Sequence, residues 1–95
     1  MIGRSNYMAA VGEQFSRADG TKLALHAVSD AVVQGSFTSW TLVFRGPADQ
    51  PLEQGVHALT NDSLGEQSIF LVPIGPADGS LEYEAVFSHA GGSDT

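Results

Sequence analysis

The chain has 95 residues, of which 42% are hydrophobic and 16% are charged, and its formal net charge is −7. This length provides one domain with a single modest core, and a chain with this composition is not disordered throughout. Eleven acidic residues against four basic ones repel phosphates and anionic lipid headgroups, so neither nucleic acid nor a membrane surface is expected as a partner.

The first predicted element is a short helical turn near the N-terminus. Ser5 or Asn6 can cap a turn over residues 7–11, because a short polar side chain accepts hydrogen bonds from the free amides of a first helical turn. Gly12 follows where a left-handed residue would end a helix. We expect one helical turn here.

Six strands are predicted after this turn, because apolar runs rich in β-branched and aromatic residues alternate with turns containing Gly, Pro, Asn and Asp. The clearest turn is Asp19-Gly20, which tolerates the positive φ angles of a tight hairpin. A second hairpin loop is expected over 75–79, and Pro73 is expected to limit the strand before it. The predicted strands span residues 14–17, 21–28 (with 31–33 as an extension), 39–45, 55–60, 67–74 and 81–88.

Alternation along three of these strands assigns the side chains of the core. Residues 69–74 are apolar on both sides, so this strand is expected to be central, or covered on its outer face by the N-terminal turn or another subunit. Phe70 and Phe87 are expected to be core residues whose loss would largely unfold the domain. The assigned core faces are Leu23, Leu25 and Ala27; Trp40, Leu42 and Phe44; and Tyr83, Ala85 and Phe87.

The fold predicted from these elements is an antiparallel β-sandwich or a small, partly open barrel of about six strands with a short N-terminal helical turn. It is expected to occupy residues 1–95 as one domain, with flexible ends over 1–5 and 90–95. The chain has no cysteine, which removes disulfide and thiol chemistry. Since residues 1–7 also form no apolar signal segment, a cytoplasmic location is expected.

Candidate residues for metal or acid–base chemistry are few. His26, His57 and His89 could in principle hold zinc, but no two of them have the short spacing of a metal-ligand pair, so each is interpreted as solvated or hydrogen-bonded and no metal is expected. Glu82 and Glu84 share one face of a strand and could act as acid and base. On an alternating strand they are better interpreted as its solvated face.

Nucleophilic and phosphate-binding motifs are lacking in the sequence. Ser36, Ser39 and Ser63 have no Gly-x-Ser-x-Gly context. The glycines at 75–79 precede no helical pattern and no Lys-Ser or Lys-Thr pair, so they form a turn and hold no phosphate. We therefore expect no catalytic residue and no cofactor.

Three residues are candidates for contact with a partner or ligand. Trp40 could stack on a sugar, although a core position is the simpler interpretation. Arg45 could bind a carboxylate through two hydrogen bonds, although an ion pair with an acid of this chain is the simpler interpretation. Phe70 belongs to the strand that is apolar on both sides. A homodimer or a protein partner is expected to cover that strand.

Several segments resemble an uncharacterised family of small bacterial domains, and the resemblance covers nearly the whole chain. It implies no catalytic activity, and it implies a structural or assembly role, because members are associated with phage-tail or tail-collar-like proteins. The alternative is a small-ligand or carbohydrate-binding β module. Incorporation in a phage-like particle is then the alternative to a free cytoplasmic protein. The segments are Val11-Gly-Glu-Gln-Phe15, Trp40-x-Leu42-x-Phe44-Arg-Gly-Pro47, Pro51-Leu-x-Gln-Gly55, Leu64-Gly-Glu66, Phe70-Leu-Val-Pro-Ile-Gly-Pro76 and Tyr83-Glu-Ala-Val-Phe87.

Overall fold

The computed structural model describes residues 3–90 and shows an all-β domain with one short helix. The predicted fold class, the short N-terminal helical turn and the count of about six strands are confirmed. A seventh, short strand lies outside the main ring. The elements are α1 (Arg4–Ala9), β1 (Gln14–Ser16), β2 (Lys22–Val28), β3 (Val32–Gln34), β4 (Phe37–Pro47), β5 (Gly55–Asn61), β6 (Gly65–Ala77) and β7 (Ser80–Ala90).

Six strands form a closed antiparallel barrel. Hydrogen bonding follows the order β2-β1-β5-β6-β7-β4, and pairing between β4 and β2 closes the ring. β3 pairs with the first residues of β4 outside the ring, where Gln34 lies opposite Phe37. Of residues 31–33, predicted to extend β2, Val32 and Val33 belong instead to β3, which forms a separate hairpin with β4. Closure gives most strands a hydrogen-bonded neighbour on both sides, which is how a small β domain limits its exposed edges.

The helix begins earlier than predicted. It starts at Arg4, and Asn6 lies inside the first turn, where its side-chain oxygen accepts a hydrogen bond from the Gly3 amide at 2.9 Å. The prediction of Ser5 or Asn6 as the N-cap is therefore wrong, because Gly3 occupies that position. Gly12 has a φ of +93°, which confirms the left-handed residue expected after the helix.

Two hairpin turns show how local sequence determined the connections. At Asp19-Gly20 the predicted hairpin is confirmed: Gly20 has a φ of +94°, and an Asp19 oxygen accepts a hydrogen bond from the Thr21 amide at 3.0 Å. Between β6 and β7 the turn consists of Asp78 and Gly79 alone, both with positive φ. This is the geometry that a tight two-residue hairpin requires.

The predicted loop over 75–79 is therefore too long, and Pro73 does not end the β6 ladder. β6 pairs with β5 as far as Leu71 and with β7 beyond it, so at Pro73 one side of β6 faces no β5 partner. Proline is tolerated at such an edge because its missing N–H breaks no ladder bond there. A register shift between Pro73 and Gly75 then lets pairing continue to Ala77.

The predicted core faces are confirmed on β2, β4 and β7, with one partial exception on β2. There a register shift between Leu25 and Ala27 leaves Ala27 half-buried. Phe87 is also half-buried and packs against the core. The fully enclosed side chains come from strands all around the ring, so the core is the barrel interior. They include Phe15, Leu23, Leu25, Leu42, Phe44, Leu59, Ile69, Leu71 and Tyr83.

β6 departs from its prediction. Ile69 and Leu71 point into the core, whereas Phe70 and Ile74 are 49% and 48% exposed. The expectation that Phe70 is a core residue is wrong, and the strand is not covered on its outer face within residues 3–90. Its apolar residues on both sides do not reflect burial on both sides, because α1 packs beside β2, away from this strand.

Candidate functional site

Trp40 lies in an aromatic cluster at the end of the barrel that carries α1. It is 5% exposed, and its ring packs against Tyr7 of α1 and Phe87 of β7 with centroid distances of 5.8 and 4.5 Å. The core interpretation of Trp40 is confirmed, so its ring face is not available for stacking on a sugar. Its indole Nε1 has no hydrogen-bond partner among the described residues.

Arg45 is held by two carboxylates at the opposite end of β4. Its Nε donates to Glu82 at 2.9 Å across the β4–β7 pair, and a terminal guanidinium nitrogen lies 3.5 Å from Asp78. The ion-pair interpretation of Arg45 is confirmed. Because Arg45, Glu82 and Asp78 are all at least partly exposed, solvent weakens these ion pairs, and their main effect is to occupy the guanidinium.

The histidines lie apart. His26 is exposed on β2, and the Nε2–H of His57 donates to the Glu53 carbonyl oxygen at 2.8 Å. The side chain of His89 lies outside the described part of the chain. Among the described side chains, no group of three His, Cys, Asp or Glu residues could hold a metal ion.

A polar network centred on the buried Asn61 joins the β5–β6 turn to the start of β1. The Asn61 side chain donates to the Glu13 carboxylate at 3.1 Å and to the Gln14 carbonyl at 3.0 Å, and it accepts from the amides of Ser63 and Leu64 at 2.9 Å each. Ser63 also donates its hydroxyl to Glu13 at 3.0 Å. These bonds fully engage the Asn61 side chain, so the network fastens two chain segments together.

An apolar area lies on the outside of β5, β6 and β7. We call it the β5–β7 face. Val56 is 67% exposed and lies directly opposite Phe70, and Val86 is 61% exposed. Val72 and Glu84 face each other across the β6–β7 pair and are both half-buried. The β5–β7 face consists of Val56, Phe70, Val72, Glu84 and Val86.

Of this face, the sequence predicted Phe70 as a contact residue and gave no such indication for Val56 or Val86. Val86 lies between the buried Ala85 and the half-buried Phe87, and Val56 lies between Gly55 and His57, which are both half-buried. Strict alternation therefore predicts their outward orientation, but alternation on each strand alone does not show that the outward residues of β5, β6 and β7 adjoin.

A second set of exposed apolar side chains lies on the β3–β4 hairpin, outside the barrel ring. It consists of Val32, Val33 and Phe37, each more than half exposed. Val32 and Val33 belong to β3, which is the edge strand of the sheet and pairs with the start of β4, whereas the β5–β7 face lies on the barrel wall. A wall of paired strands is the more rigid support for a docking surface.

Comparison with protein families identifies the group to which this barrel belongs. The profile of a domain of unknown function, DUF6916, matches residues 2–87. The chain belongs to the DUF6916 family. This confirms the resemblance to an uncharacterised family of small domains spanning nearly the whole chain. No curated protein and no solved structure matches this DUF6916 chain.

The DUF6916 barrel has one helix among its described residues. Its helix α1 has six residues. No helix over residues 3–90 has the length and apolar character needed to cross a membrane.

Proposed function

We propose that this chain is a non-enzymatic structural or protein-interaction module of a phage-derived or tail-like assembly, and that the β5–β7 face is its docking surface. The observation that carries the docking role is the exposure of Val56, Phe70 and Val86 on one wall of the barrel. The resemblance of the sequence to domains associated with phage tails supports the assembly role.

The energetic argument concerns apolar surface that the fold leaves in water. Single exposed apolar residues are ordinary on protein surfaces, but contiguous ones mark interaction sites. Val56 and Phe70 are direct cross-strand neighbours, and Val72 follows Phe70 on the same side of β6. Covering such side chains gains about 25 cal/mol for each Å² of apolar area removed from water. A docked protein obtains that gain without any change in the barrel.

The position of the aromatic residues does not favour the small-ligand alternative. A carbohydrate site of the kind considered for Trp40 needs an exposed ring, and the Trp40 ring is buried against Tyr7 and Phe87. Phe70 is the aromatic residue of the β5–β7 face; Val56 lies opposite it, and Val72 follows it on the same side of β6. A sugar site needs several convergent polar groups, so an apolar surface with Glu84 as its one charged member suits a protein partner better.

The experiment is a comparative affinity purification from the native host. Wild-type protein is compared with a double variant of the face, V56S/F70S, and with a matched control, V32S/V33S, which removes the same kind of exposed apolar surface from the β3–β4 hairpin. Thermal melts of all three proteins establish that each is folded. We expect a tail or virion-like structural protein to be retained by wild type and control and lost from V56S/F70S.

Two results would contradict the proposal. Retention of the same proteins by V56S/F70S and wild type would show that the β5–β7 face is not the docking surface. Retention of a metabolic enzyme or a small-molecule-dependent complex, with no structural protein, would count against the assembly role.

A further inference from the structure

Resting on the proposed docking role of the β5–β7 face, we propose that its partner is a basic as well as apolar protein segment, with a Lys or Arg side chain that pairs with Glu84. In this arrangement apolar side chains of the partner cover Val56 and Phe70. The cation lies beside them and pairs with Glu84, which has Val72 of β6 on one side and Val43 of β4 on the other.

The surroundings of Glu84 support this assignment. Across the sheet its immediate neighbours are Val72 on β6 and Val43 on β4, so the carboxylate lies between two aliphatic side chains. Glu84 is half-buried, and no hydrogen bond or ion pair joins its side chain to another residue within 3–90. The next outward acid on the strand, Glu82, is instead paired with Arg45 at 2.9 Å.

Docking of a partner raises the free-energy cost of leaving the Glu84 carboxylate unpaired. A partner that covers Val72 and Phe70 also removes water from Glu84, and an ionised carboxylate that loses water needs a charged or hydrogen-bonding group in return. A guanidinium or ammonium group provides that partner and adds the stronger, charge-assisted kind of hydrogen bond. An apolar segment without a cation would leave Glu84 buried and unpaired.

The charge of the whole chain favours the same partner. The formal net charge is −7 with four basic side chains in total, and three of these, Arg4, Arg17 and Arg45, are already in ion pairs within the chain. The protein therefore attracts basic segments and accelerates their association, and this attraction weakens as salt is added.

A second copy of the chain fits the face less well. A two-fold contact through the β5–β7 face would bring the two Glu84 side chains toward each other. Arg45, which is two residues from Val43 on the same side of β4, is already engaged by Glu82 and Asp78. Like charges brought together in an interface oppose association. The face is thus better suited to a different, basic chain.

The test uses a random dodecapeptide library displayed on phage, selected on the immobilised wild-type protein. Selected peptides are synthesised, and their dissociation constants are measured for wild type and for three variants. Glu84→Gln removes the charge of the face, Asp62→Asn removes one charge from the exposed β5–β6 turn as a matched control, and Phe70→Ser removes the central aromatic ring. Thermal melts verify folding.

We expect selected peptides that combine Lys or Arg with apolar residues, that bind Glu84→Gln at least tenfold more weakly than Asp62→Asn, and that lose affinity between 50 and 500 mM salt. If the selected peptides depend on Phe70 but carry no basic residue, the docking role of the face stands and the proposal of a basic partner is wrong. If no selected peptide binds Phe70→Ser more weakly than wild type, both the docking role of the face and the proposal of a basic partner are wrong. A wild-type dimer in light scattering that Phe70→Ser converts to monomer would assign the face to a second copy instead.

Discussion

The phenol oxygen of Tyr83 accepts a hydrogen bond from the backbone amide of Leu52, with 2.9 Å between the two atoms. Tyr83 is a buried residue of β7, and Leu52 is a buried residue of the segment that connects β4 to β5. The bond therefore fastens this connection over the barrel end opposite α1. A backbone amide placed in an apolar environment needs such a partner.

Tyr83→Phe tests the strength of this attachment. The substitution keeps the ring in the core and leaves the Leu52 amide without its partner, so we expect the free energy of unfolding to fall by about 1–3 kcal/mol. Urea denaturation at pH 7 measures this loss. Tyr7→Phe is the matched control, because no hydrogen bond joins the Tyr7 hydroxyl to another described residue. Equal stability of the two variants would show that the bond to Leu52 contributes nothing.

A pair of phenylalanine substitutions distinguishes the interior of the barrel from the β5–β7 face. Phe44 is fully buried and packs edge-on against Phe15 with a centroid distance of 5.2 Å. Phe44→Ala should therefore cost about 3–5 kcal/mol, much of the stability of a small domain. Phe70→Ala should cost less than about 1 kcal/mol, because half of that side chain is already in water.

Chemical denaturation of both variants decides this comparison. A loss at Phe70 as large as that at Phe44 would mean that the outer face of β6 is covered in solution, which is what the sequence led us to expect. Similar stability of Phe44→Ala and wild type would contradict the assignment of the barrel interior as the core.

Alternation was sufficient to predict the interior of the barrel and insufficient to predict its outside. On β4 the predicted inward residues Trp40, Leu42 and Phe44 are all buried. Successive side chains of a strand point to opposite faces of the sheet, so when one face is exposed to water, apolar and polar residues alternate in the sequence. On β6, Phe70 is as apolar as its buried neighbours Ile69 and Leu71, so composition could not show which side faces water. That depends on what covers the strand, and α1 packs beside β2 instead.

The contacts of Asn61 were beyond prediction for a different reason. The sequence predicts a strand over 55–60, and Asn61 is the last residue of β5 in the structure. Its hydrogen bonds, however, reach Glu13 and Gln14, 48 and 47 residues away in sequence. Such pairings follow from how the ring closes, and no local pattern encodes them. The isolated charge of Glu84 was hidden for the same reason, since its neighbours come from β6 and β4.

Gly46→Ala tests the packing between β4 and the core. Gly46 occupies an inward position of β4, and a Cβ atom there would overlap a terminal methyl of Leu23 and contact the Tyr83 ring. Because Leu23 is enclosed by the core, it cannot move into water, and we expect a loss of about 1–3 kcal/mol from overpacking.

The melting temperature of Gly46→Ala provides the measurement. Thr41→Ala is a suitable control, since Thr41 lies on the outward side of the same strand and is half-buried. A variant Gly46→Ala at least as stable as wild type would show that the barrel has room at this position, contrary to the packing described above.

The last prediction concerns the pH dependence of stability through Tyr7. Burial against Phe15, Trp40 and Phe87 raises the pKa of the Tyr7 phenol above its ordinary value of 10.0, because the phenolate is poorly solvated there. A folded-state pKa above the unfolded one means that the contribution of Tyr7 to stability is complete below about pH 10. It is lost as the pH rises through the unfolded and then the folded pKa, since the unfolded chain releases its proton first.

The difference in unfolding free energy between wild type and Tyr7→Phe, measured in urea from pH 8 to 11, should therefore be constant up to about pH 9.5 and should shift in favour of Tyr7→Phe above it. A difference that stays constant across the whole range would mean that the Tyr7 hydroxyl is as well solvated in the folded barrel as in the unfolded chain.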